Sequence, residues 1–347
     1  MQIRNILTLV STVAALAVAT PALAHRQGSQ APPPANNPNQ KPAAPKVPAD
    51  ELKAGNAIGA ATDAAAMMQL AQAFVAKYPK STLIHPIATN LSLQIGTVTD
   101  MAQQLALAQA FRTTFPGTEE VDLIMPIIID ANLKLNKVDE AFKEASDFLS
   151  RHPKDLVALM NMTFVGAEQA KHKNMKYVAD AEKDGAAAIA IIEGDQKPEK
   201  MDDAQWALAK TKYLAQLYQS LGVCSFAGGK TEEATTRFNK SASINPKDPM
   251  TYMWIGTMAN QEYVALSAKY KAMAPADPQA DATLKSALAS LDRLIDNYAH
   301  VVALSEGVPS LKPVYDLCLE DLTSFYKYRH KGTDGLQALI DKYKIVG

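Results

Sequence analysis

From Asp50 onward apolar residues recur at helical spacing, and no stretch shows the period-2 alternation of a half-buried strand. Helices are predicted near Leu156 to Lys171, Met175 to Glu193, Trp206 to Phe226 and Ala282 to Leu304, with a polar loop, APADPQAD, over Ala274 to Asp281. Near the end, Leu336, Leu339, Ile340 and Tyr343 stand at i, i+3, i+4 and i+7 within Gly335 to Lys344. That one-sided stripe suits a helix that caps a stack.

The pattern repeats. Ala71 and Phe74 run on to Tyr78-Pro79, Ala108 and Phe111 to Phe115-Pro116, and Ala145 and Phe148 to His152-Pro153, a spacing of 37 residues twice. The helix starts keep step, because Thr62-Asp63, Thr99-Asp100 and Asn136-Lys137 are also 37 apart, and Thr, Asp and Asn are good N-caps. A second correspondence spans 93 residues: Asn136-Lys-Val-Asp-Glu-Ala141 against Gly229-Lys-Thr-Glu-Glu-Ala234, and Pro153-Lys-Asp155 against Pro246-Lys-Asp248. Two enlarged repeats fill that interval.

The clearest copy lies around Gly228 to Ala259. Tyr218, Leu221 and Gly222 occupy one helix, Ala234 and Phe238 the next, and Pro246 closes the unit; Tyr252, Ile255 and Gly256 begin again 34 residues later. Glycine and alanine let the paired helices approach, the aromatic residues fill the space between them, and proline ends the second helix. This pattern resembles the tetratricopeptide repeat (TPR) family. The earlier units lack the Leu-Gly pair and resemble divergent copies with three extra residues in a turn. The resemblance implies an all-α fold, a right-handed superhelical solenoid of helix-turn-helix repeats. About six helix pairs plus C-terminal capping helices would fill residues 50–347.

The first 49 residues are different. Arg4, the apolar run Ile6 to Ala19 and the small-x-small site Ala22-Leu23-Ala24 read as a signal peptide over residues 1–24. That run is shorter than the roughly 20 residues that span a bilayer, so no transmembrane segment is expected after cleavage. Residues 25–49 hold seven prolines and no apolar period, which predicts a disordered, semi-rigid linker reaching up to roughly 75 Å. The expected location is periplasmic or secreted.

Charge narrows the partners. Without the leader the chain carries 34 basic and 36 acidic residues, a balance that leaves no basic footprint for nucleic acid. Gly228-Gly-Lys-Thr231 mimics the end of a phosphate-binding loop, but Cys224 stands where the first glycine belongs and the context is helix-turn-helix. His25 would begin the exported chain with no second histidine nearby, and His85, His152, His172, His300 and His330 show no metal-binding spacing. Cys224 and Cys318 fall in different apolar helices and read as buried free thiols, with a disulfide between them, which export would permit, as the alternative. No catalytic residues, cofactor or metal are therefore assigned.

In TPR proteins the first helix of each repeat lines a concave groove through positions 2, 5, 9 and 12. The resemblance maps these onto Val157, Met160, Phe164 and Ala167; onto Gln216, Gln219, Val223 and Phe226; and onto Met250, Met253, Thr257 and Asn260. The Lys and Asn pattern that clamps a peptide carboxylate is missing. What remains is apolar and Met-rich, a surface that adapts to varied apolar side chains. The expected function is a non-enzymatic scaffold of the cell envelope that binds a protein or peptide in this groove. A self-associating envelope protein and an enzyme with a site in the groove are the competing classes.

Overall fold

The computed structural model describes residues 47–199, 201–274 and 276–344. The signal peptide and all but the last three positions of the linker lie outside the described residues. The described chain is all-α, with no strand among those residues. It divides into two compact units, residues 47–150 and residues 151–344.

The first unit holds α1 (Ala49–Gly59), α2 (Ala64–Lys77), α3 (Ile84–Gly96), α4 (Met101–Thr114), α5 (Thr118–Lys134) and α6 (Val138–Arg151), the last residue of α6 belonging to the second unit. α2 packs on α1, α3 and α4, and α3 on α1, α4 and α5, so a helix meets the next and the next but one. Such stacking buries one stripe after another and needs only local contacts. Its core is the repeated pair read from the sequence: Ala71, Phe74, Ala108, Phe111, Ala145 and Phe148 are all buried. Asp63 and Asp100 cap α2 and α4, accepting from Ala66 N at 2.8 Å and Gln103 N at 2.9 Å. α2, α4 and α6 each stop two residues before Pro79, Pro116 and Pro153.

The second unit begins with α7 (Leu156–Lys171) and α8 (Val178–Glu193), then α9 (Asp203–Leu208), a π-helical turn over Ala209–Tyr213, and α10 (Leu214–Ala227). The sequence predicts one helix from Trp206 to Phe226; the structure breaks it with the π turn, which shifts the face that follows by one residue. α11 (Thr231–Ile244) pairs with α10, and α12 (Pro249–Lys271) pairs with α13 (Ala280–Ser305). α14 (Lys312–His330) and α15 (Leu336–Asp341) pack on α13.

The 93-residue correspondence is visible in the turns. Asn136 and Gly229 both adopt left-handed backbone, φ 57° and 74°. Lys137 N donates to Asn132 O and Lys230 N to Ser225 O, the same bond 93 residues on. This is the glycine-type helix stop, satisfying carbonyls that the helix leaves open. Lys173, 37 residues after Asn136, does the same between α7 and α8 with φ 63°.

Gly222 and Gly256 both mark close approaches, but to different partners. A Cβ on Gly222 would lie 2.7 Å from the ring of Phe238 on α11, as the repeat requires. A Cβ on Gly256 would lie 2.6 Å from the ring of Tyr298, which therefore plays the part of Phe238 from far along the lengthened α13.

Candidate partner-binding surface

Of the twelve mapped positions, the ten other than Ala167 and Val223 are assigned to partner binding, and three helices of the second unit carry them: α7, α10 and α12. Asp155 and Asp248 begin two of them, accepting from Ala158 N at 2.9 Å and Met250 N at 3.0 Å. α7 and α10 pack directly on each other.

Seven of the ten are partly open: Val157 and Phe164 on α7, Gln216, Gln219 and Phe226 on α10, and Met250 and Thr257 on α12. Phe226 leans edge-on against Trp254, 6.0 Å between ring centroids, and Trp254 stacks on Phe238 at 6.0 Å. Met250 packs against the apolar cluster of α13 to α15. Thr257 Oγ1 donates to Met253 O at 2.8 Å.

Gln219 is half-buried but its amide is committed. Nε2 donates to Asp248 Oδ2 at 2.7 Å and to Thr251 Oγ1 at 2.8 Å. Thr251 in turn bonds Asp248 at 3.0 Å and lies 3.0 Å from Ser241 Oγ. This network ties α10, α11 and α12 together, so Gln219 joins neighbouring repeats and has no donor left for an incoming chain.

Met160, Met253 and Asn260 are corrections. They are 2%, 5% and 6% exposed, where the groove reading needs them facing outward. Met253 joins the buried cluster with Leu291, Leu294, Ile295 and Tyr298. The physical reason is the length of α13: at 26 residues it runs beyond an ordinary repeat helix, and its apolar side takes up the Met253 side of α12. Asn260 is enclosed with its Oδ1 lacking a hydrogen-bond partner.

Around these helices the ionisable groups hold the stack together. Arg237 on α11 donates to Leu221 O at 2.8 Å, to Ser225 Oγ at 2.7 Å and to Glu182 on α8 at 3.1 Å, and it pairs with Glu233. Tyr218 donates to Glu193 at 2.8 Å; burial and that carboxylate push its pKa up to about 12. Both cysteines are free and buried, and burial pushes each thiol up to about 12. They therefore pack as small apolar groups and stay protonated. Asp184 on α8 is driven up to about 6, mainly by burial.

Sequence reading missed one grouping in the first unit. His85 stands next to Glu119 and Glu120, 34 and 35 residues on, and only the packing of α3 on α5 brings them together. Local spacing carries no sign of it.

No family model and no curated protein matches the sequence. Among solved structures, the chain is similar to a tetratricopeptide repeat protein from Parabacteroides merdae ATCC 43184, with 15% identity and a TM-score of 0.37 over 78% of this chain and 98% of the other. So distant a likeness adds nothing to what the helix pairs themselves display.

Proposed function

We propose that the protein is a non-catalytic scaffold that binds a protein or peptide partner, exported and carried on its proline-rich segment. The observation behind this reading is the helix-pair repeat itself. Glu182 on α8, Gln219 on α10, Arg237 on α11 and Thr251 on α12 are spent on bonds within the stack, while Val157, Phe164, Phe226 and Met250 stay partly open on the first helices of their pairs. The binding surface is narrower than the sequence implies: it uses these four with Gln216 and Thr257, and excludes Met160, Gln219, Met253 and Asn260.

The test pairs Val157→Asp with Phe164→Asp. Both positions are half-buried, so the double variant should keep a melting temperature close to wild type while losing a partner captured from the periplasm by the full exported chain. Capture undiminished in a folded variant would sink this surface. Light scattering on the same samples separates a heterologous partner from self-association.

A further inference from the structure

We propose that His85, Glu119 and Glu120 form a binding site for a divalent transition-metal ion of the zinc class. This goes beyond the scaffold reading and concerns the other unit of the chain. His85 is the second residue of α3, and Glu119 and Glu120 lie in the first turn of α5. His85 Nδ1 is 2.9 Å from Glu120 Oε1 and 3.9 Å from Glu119 Oε2, and all three ligand atoms lie within 4.8 Å of one another. Four ligands at about 2.0–2.1 Å around a tetrahedral zinc stand about 3.3 Å apart, a value these two distances bracket.

Charge supports the same reading. Among the described residues neither glutamate pairs with a lysine or arginine, so two carboxylates meet at one imidazole. Acidic residues suit the positive end of α5, which accounts for the glutamates but not for an imidazole from another helix. The Glu120 carboxylate lies over Gly117, which leaves room for it. One nitrogen and two oxygens favour zinc and its neighbours over magnesium or calcium, which take mainly oxygen ligands. His85 and Glu119 have side chains 54% and 86% exposed, so water completes the coordination.

The test is a zinc titration of the full exported chain, stripped of metal, against a chromophoric chelator. One equivalent should bind with micromolar affinity, and His85→Ala and Glu119→Gln should each weaken it at least tenfold with unchanged circular dichroism. Zinc should raise the melting temperature of wild type but not of His85→Ala. Cobalt in place of zinc should give the visible absorption of a four-coordinate site, lost in the same variant. Because other histidines can bind weakly, the readout is the difference between wild type and variant. Equal binding by the two proteins, or no binding at millimolar zinc, would overturn the proposal.

Discussion

Gly222 has no space for a side chain, since a Cβ would press on the Phe238 ring, and Gly256 stands in the same relation to Tyr298. Leucine at either position should overpack the contact and lower stability by about 1–3 kcal/mol or more. At Gly228 the nearest obstacles are backbone carbonyls of its own helix, 3.4 Å away, so leucine there should cost less. Denaturant melts showing the reverse order would contradict the packing described. Met253→Asp buries an unpaired charge among Leu291, Leu294 and Tyr298 and should cost about 3 kcal/mol or more; a melting temperature near wild type would restore Met253 to the partner surface. Asp184 gives the opposite sign. Its pKa is raised, so the folded state holds a proton more firmly than the unfolded chain, and this contribution is lost as pH rises through about 6. Asp184→Asn should therefore stabilise by about 1 kcal/mol at pH 8, after allowance for solvent screening, and by much less at pH 4.

At the scale of elements, the C-terminal turn is fastened by a stack of rings. His300 on α13 lies between Tyr252 of α12 and Tyr343 beyond α15, with ring centroids 4.1 and 3.5 Å away. Asp296 accepts from Tyr343, and Lys342 Nζ donates to Tyr343 Oη at 2.7 Å. Burial, with help from Lys342, holds the His300 pKa below its usual value against the opposing pull of Asp296. The unfolded chain thus binds the proton more readily. The ring's contribution is whole above about pH 6.5 and declines as pH falls through the folded value. His300→Gln should flatten the loss of thermal stability between pH 7 and pH 5, and an unchanged pH profile would show that the stack is indifferent to protonation. Much of this level was legible in the sequence. The Ala and Phe positions spaced by 37, the proline stops and the shared turn at Asn136 and Gly229 each rest on local chemistry that repeats with the unit. Tyr298 was not legible as the counterpart of Phe238, because it follows Gly256 by 42 residues where Phe238 follows Gly222 by 16. The helix extension that sets this distance also buries Met253, so one change in length defeated both the register and the surface assignment. His85 escaped for a different reason: its neighbours are set by helix packing, which local spacing does not encode.

For the molecule as a whole, stability in a stack of helix pairs is close to a sum of local terms, because each pair meets mainly its neighbours. Two compact units then need not unfold together, and a single unfolding free energy loses its meaning when they do not. Phe111 is fully buried in the unit of residues 47–150, and Leu291 is fully buried in that of residues 151–344. Truncating either to alanine removes buried apolar volume and should cost about 3–5 kcal/mol for the phenylalanine and 2–5 kcal/mol for the leucine. Differential scanning calorimetry should resolve two transitions, Phe111→Ala lowering one and Leu291→Ala lowering the other by several degrees. If both substitutions shift a single transition, the repeats unfold as one cooperative body. Zinc provides an independent label for the assignment. Its stabilisation should appear in the transition that Phe111→Ala lowers, since His85, Glu119 and Glu120 lie in that unit. A metal-induced shift confined to the other transition would place the ion elsewhere in the chain.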